Sequence, residues 1–157
     1  MHSRRPLGTM LAISCLGFSS MYVLFAVTPV EAGALSGSIG AGLSTTIFML
    51  LTVATQLCTP FLIRRYRAHI LIGASLLLLG LPSVIYLWQP DMTQILISCA
   101  LRGVGFGLFT VLGVALVTMY AVEGAEGAAL GYYGLSTSIT GIIGPPVGLL
   151  LLDWWNP

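Results

Sequence analysis

The sequence predicts an all-α protein, a polytopic membrane helix bundle of five transmembrane helices, and three observations carry that prediction. Of its 157 residues 57% are hydrophobic and 7% charged, with a mean hydropathy of +0.98, whereas a soluble domain carries about 25% charged residues. So few charges cannot make a water-facing surface. The charges also divide the chain into long apolar stretches, each exceeding the ~20 residues that a helix rising 1.5 Å per residue needs to cross a hydrocarbon core of ~30 Å. Runs such as 48–53 (FMLLTV) and 74–81 (ASLLLLGL) are apolar at consecutive positions, which excludes the alternating polarity of an outer-membrane barrel.

The first span covers about residues 7–29, behind Arg4 and Arg5. A twin-arginine leader is rejected because no small-x-small cleavage site follows a short apolar core and four more spans follow. In the stretch Ala12-Ile13-Ser14-Cys15 the position three before the cysteine, where a lipoprotein cleavage site wants a branched aliphatic residue, is Ala12. The two arginines are therefore read as an anchor. The second span, about 39–63, ends at Arg64, Arg65 and Arg67. The third, about 70–88, ends in Tyr86 and Trp88, placed where amphipathic rings prefer the headgroup level. The fourth, about 94–121, is interrupted only by Arg102, and the fifth, about 128–152, ends at Asp153, Trp154 and Trp155. The connections expected at 31–38, 64–69, 89–93 and 122–126 are too short to hide a soluble catalytic domain, so residues 1–157 form a single transmembrane domain.

Alternating the loops puts Arg4, Arg5, Arg64, Arg65 and Arg67 on one side and no Lys or Arg in the loops of the other. The positive-inside rule then predicts a cytoplasmic N-terminus in the plasma membrane, with Arg64, Arg65 and Arg67 forming a cytoplasmic basic loop. Glu31, Asp91 and Asp153 fall outside. A net charge of +1 gives no basic field for nucleic acid, leaving the lipid bilayer as the expected surrounding. Cys15, Cys58 and Cys99 lie singly within spans, without a paired CxxC or a nearby His, so the expectation is apolar fillers with no metal, disulfide or cofactor. His2 and His69 pair with no nucleophile, and no carboxylate pair lies at membrane depth; the expectation is that the protein is not an enzyme.

Arg102 lies about nine residues into its span, roughly a dozen ångströms along the helix. A charge at that depth is costly and commonly marks a substrate or ion route; the plainer role is to pin two helices. Beside it runs Arg102-Gly103-Val104-Gly105-Phe106-Gly107. Gly103 and Gly107 stand in the GxxxG relation that permits close helix packing. In the fifth span Gly127, Gly131, Gly134, Ser138, Gly141, Gly144 and Gly148 recur every three or four positions, with Pro145 and Pro146 expected to bend the helix. This small-residue face has no obvious partner within the chain, so the expectation is that it packs on something absent.

Taken together, these features resemble the N-terminal half of a major facilitator superfamily transporter, helices one to five of an expected six. The family's helix-four arginine and glycine-rich stretch match Arg102 through Gly107. Its Ala-x-Gly-x-x-Gly start to helix five matches Ala129-Leu130-Gly131-Tyr132-Tyr133-Gly134, and its GPxxG motif, associated with proton-coupled antiporters, matches Gly144-Pro145-Pro146-Val147-Gly148. The family's loop G-x-L-x-D-R-x-G-R-R aligns with Pro60-Phe61-Leu62-Ile63-Arg64-Arg65-Tyr66-Arg67-Ala68-His69. There Arg64 replaces the aspartate, while Pro60 and Arg67 replace glycines, so the family's charge-relay latch lacks its acid. Thr140 and Leu149 also stand where the antiporter motif has glycine.

The resemblance implies a secondary active transporter, proton-coupled and exporting small molecules, whose two six-helix halves rock about a central site. The small-molecule substrate is not named by it. It further implies a chain lacking the sixth helix and the second half, inactive alone, with a separate C-terminal half or self-association supplying the remainder. The alternative is a non-transporting membrane scaffold or assembly subunit in which Arg102 serves packing only. Water reaching Arg102 marks the first reading, and burial against backbone marks the second.

Overall fold

A computed structural model of the chain describes residues 4–88 and 90–155, so His2, Gln89, Asn156 and Pro157 lie outside the described residues. The anchoring read from the Arg4, Arg5, Trp88 and Trp155 side chains also falls outside them. Within the helical stretch Arg4–Arg65 two helices meet at a kink, where Ser36 has φ −138° and ψ 19° and Gly37 has φ 64° and ψ −157°. Only glycine adopts the second conformation readily. The helix before the kink is α1 (4–35) and the one after it α2 (38–65).

The two helices fold back on each other as an antiparallel hairpin. Phe25 and Phe48 pack with ring centroids 5.7 Å apart, Gly33 faces Ala41, and Gly40 lies against the Ala32 carbonyl. The expected 31–38 loop is thus corrected to a two-residue turn. Residues 32–35, Gly33 included, remain helical, and Ser36 and Gly37 supply the reversal.

The third span also differs from a single helix over 70–88. An α-helix, α3 (Ala68–Gly80), gives way to a 3₁₀-helix, Leu81–Trp88. Pro82 has no N–H to donate, and its ring would meet the carbonyl four residues back if the α-helix continued. The 13 residues of α3 rise only about 20 Å. The 3₁₀ segment, at about 2 Å per residue, completes the crossing.

Helix α4 (Met92–Tyr120) starts after Asp91, whose backbone N–H donates to Gln94 Oε1 at 3.2 Å. Helix α5 (Glu126–Trp155) follows a turn in which Gly124 has φ 81° and its N–H donates to Glu126 Oε1 at 3.1 Å. The helix continues through Pro145 and Pro146.

Contacts fix the directions: α4 runs alongside α2, from Gly103 against Phe48 to Gly107 against Thr52 and Thr55, and antiparallel to α3 with its 3₁₀ continuation, from Ser98 against Pro82 to Gly105 against Ser75 and Leu78. It also touches α1 and α5, and so occupies the centre of the bundle. Lipid provides no hydrophobic drive between helices, so close contact and hydrogen bonds must hold them. Phe18 supplies the first, packing edge-on against Phe109 at 5.5 Å, Tyr133 at 5.7 Å and Phe106 at 5.9 Å. Thr52 supplies the second, its Oγ1 lying 2.8 Å from the Phe48 carbonyl and 3.2 Å from that of Gly103 on α4.

Two expectations need correction here. Part of the α5 small-residue face does have a partner within the chain, since Gly141, Gly144 and Gly148 receive Tyr22 and Val23 of α1. The large Tyr22 side chain fills the groove that the missing side chains leave. Gly131 and Gly134 meet nothing within 4 Å. Of the three cysteines only Cys99 is buried; Cys15 is half-buried and Cys58 exposed. Cys58 lies on the outward part of α2, as exposed Leu50 and Leu57 do.

Candidate functional site

The helical period places Ile95, Cys99 and Arg102 on one face of α4, and that face is turned into the bundle. Arg102 is consequently 2% exposed despite its charge, about 15 Å along the helix from Met92. It cannot reach the headgroups along a lipid-facing surface.

Its guanidinium is poorly satisfied. One terminal nitrogen, Nη1, donates to Thr28 Oγ1 and the other, Nη2, to the Met21 carbonyl, each at 3.5 Å. Both distances exceed the usual 2.7–3.2 Å range for such bonds. Buried Nε has no hydrogen-bond partner. An arginine has five N–H donors, so most of its capacity is unmet.

Thr28 is the hub beside it. Its hydroxyl donates to the Leu24 carbonyl at 2.7 Å, leaving two lone pairs. One accepts from Arg102 and the other from the Tyr86 hydroxyl, at 3.0 Å. The Tyr86 end is held in turn by Ser98, whose Oγ donates to the Pro82 carbonyl at 3.0 Å. One polar cluster thereby joins α1, the 3₁₀ segment and α4.

Two spaces adjoin this cluster. A cavity of about 10 Å³ is lined by Phe25, Thr28, Ser44, Phe48, Cys99 and Arg102, a size for about one water molecule. A cleft of about 860 Å³ opens at the end of the bundle where α1 meets α2, with Val27, Glu31, Tyr86, Asp91 and Leu151 on its walls.

The sequence-selected residues divide around this centre. Gly103, Gly105 and Gly107 hold α4 close to α2 and α3 on either side of it. Gly141, Gly144 and Gly148 seat α5 on α1, with half-buried Pro145 between them, whereas Gly131 and Gly134 face outward. Arg64, Arg65 and Arg67 are exposed at the α2–α3 turn, at the opposite end of the bundle from the cleft. Sequence reasoning missed Thr28, and it placed Tyr86 at the headgroups. The signal for Tyr86 was Pro82, which changes the helical phase and turns the ring inward.

A model of the Major Facilitator Superfamily matches residues 9–157. No match was found among curated proteins or among solved structures.

Proposed function

The chain belongs to the major facilitator superfamily, a family of membrane transporters, and from that premise we propose that it serves proton-coupled efflux of small amphipathic molecules, with Arg102 on the substrate or proton pathway. The observation that carries this reading is a charge buried at membrane depth whose donors the fold leaves largely unmet. Such a group is ready to bind an anionic substrate group or a proton-exchanging carboxylate when its cavity opens. The GPxxG sequence at Gly144–Gly148 supports the antiport direction. No enzymatic step is part of this reading. A separate C-terminal half, or a second copy of the chain, would supply the opposing wall of a central site.

The test is efflux of a fluorescent amphipathic dye from energised cells expressing the protein. Arg102→Lys keeps the charge but loses the planar fork, and is expected to lower efflux while leaving the amount of folded protein unchanged. Efflux at the wild-type rate by Arg102→Ala would refute the assignment. One observation favours the second reading, a scaffold in which Arg102 pins helices, because both its contacts run to α1 and one is to backbone.

We further propose that the arginine-bearing end is cytoplasmic in the plasma membrane and that the cleft faces outside. Ser36→Cys in a background lacking Cys15, Cys58 and Cys99 is expected to react with an impermeant thiol reagent on intact cells. Reaction only after lysis reverses the orientation.

A further inference from the structure

We propose that Tyr86 is a positioning residue for Arg102: through Thr28 it holds the guanidinium in the small cavity, and its release admits water from the cleft. The proposal rests on the transport reading for its purpose and on geometry for its content. The Tyr86 ring lines the large cleft, and its hydroxyl bonds Thr28, which lines the small cavity. Tyr86 thus spans the partition between the two spaces.

The donor must be Tyr86, because the only proton of the Thr28 hydroxyl is committed to the Leu24 carbonyl. With Arg102 on its other lone pair, Thr28 has no capacity left. Removing the Tyr86 hydroxyl leaves Thr28 one acceptor site short of a partner and frees the ring to move. The two long Arg102 contacts then have less to hold them, and water entering from the cleft satisfies the open lone pair and Nε together. Toward the α2–α3 end Arg102 has the Met21 carbonyl at 3.5 Å, and beyond it Phe18, Phe106 and Phe109 pack together in place of a polar link like that of Tyr86 and Thr28.

Cys99 is a native reporter, since it lines the cavity with Arg102 and is buried. With Cys15 and Cys58 changed to Ser, a small charged methanethiosulfonate is added to the cleft side only, using the chain in oriented vesicles. Loss of one hydrogen bond of ordinary net strength shifts a closed–open balance by roughly three- to tenfold. Tyr86→Phe is expected to speed Cys99 modification by that factor. Thr28→Val breaks the same bond from the other side and also removes the acceptor for Arg102 Nη1, so it is expected to speed modification at least as much, which keeps the test intact if Tyr86→Phe fails to fold. Thr28→Ser retains one donor and two acceptors and is expected to label at the wild-type rate.

Unchanged labelling in folded Tyr86→Phe or Thr28→Val overturns the proposal. So does equal acceleration from both sides of the membrane, the mark of general loosening, or acceleration in Thr28→Ser. The readout is thiol reactivity and not efflux, so this proposal fails on labelling whereas the transport reading fails on Arg102→Ala.

Discussion

Gly103→Ala is expected to destabilise the bundle by about 2–3 kcal/mol, toward the upper end of ordinary overpacking, while Gly131→Ala is expected to raise stability by up to about 1 kcal/mol. A Cβ on Gly103 would lie 2.5 Å from the Phe48 carbonyl oxygen and 3.3 Å from Leu51 Cβ. The first of these is backbone and cannot rotate aside. It also accepts the Thr52 hydroxyl at 2.8 Å, so displacing it disturbs the link by which Thr52 reaches Gly103. At Gly131 the added methyl meets nothing within 4 Å, and only the gain in helix propensity remains. Reversible unfolding in mixed micelles reads both. Equal effects of the two substitutions would refute the assigned α2–α4 contact.

The second large effect is a separation of stability from activity at Arg102. Arg102→Met is expected to abolish efflux and leave stability unchanged or higher by up to about 2 kcal/mol, because an apolar side chain replaces a buried charge whose contacts are weak. The two 3.5 Å contacts return little for the burial of the guanidinium, and Nε receives none. If Arg102 instead pins α1 to α4, Arg102→Met lowers stability markedly and efflux falls only in proportion to folded protein. Measuring unfolding and dye efflux on the same preparations separates these outcomes.

These two cases also show what the sequence made legible. Hydropathy and charge spacing indicated an all-helical membrane bundle, since the bilayer leaves a chain so apolar little other choice. The arginine at depth was visible because it is costly there. Which glycines matter was not visible: Gly103 and Gly131 both sit in small-residue patterns, yet one meets a backbone carbonyl and the other open space. That difference belongs to the neighbouring helix. Spacing along α5 likewise could not show Tyr22 filling the groove at Gly141 and Gly144, because the partner lies on α1 more than a hundred residues away. Thr28 escaped notice for a related reason, as one hydroxyl among the several of its span stands out only when three elements converge on it.

The change of helical pitch after Gly80 has a mechanical consequence. A 3₁₀-helix advances about 120° and 2 Å per residue against about 100° and 1.5 Å for an α-helix. Tyr86 lies six residues past Gly80, so return of the intervening residues to α geometry would turn its side chain by about 120° and draw it back by about 3 Å. Pro82 resists that rewinding. The azimuth of the Tyr86 hydroxyl is therefore wound into the backbone four residues upstream, and the Pro82–Ser98 link at 3.0 Å works as the stop that keeps the coil from turning.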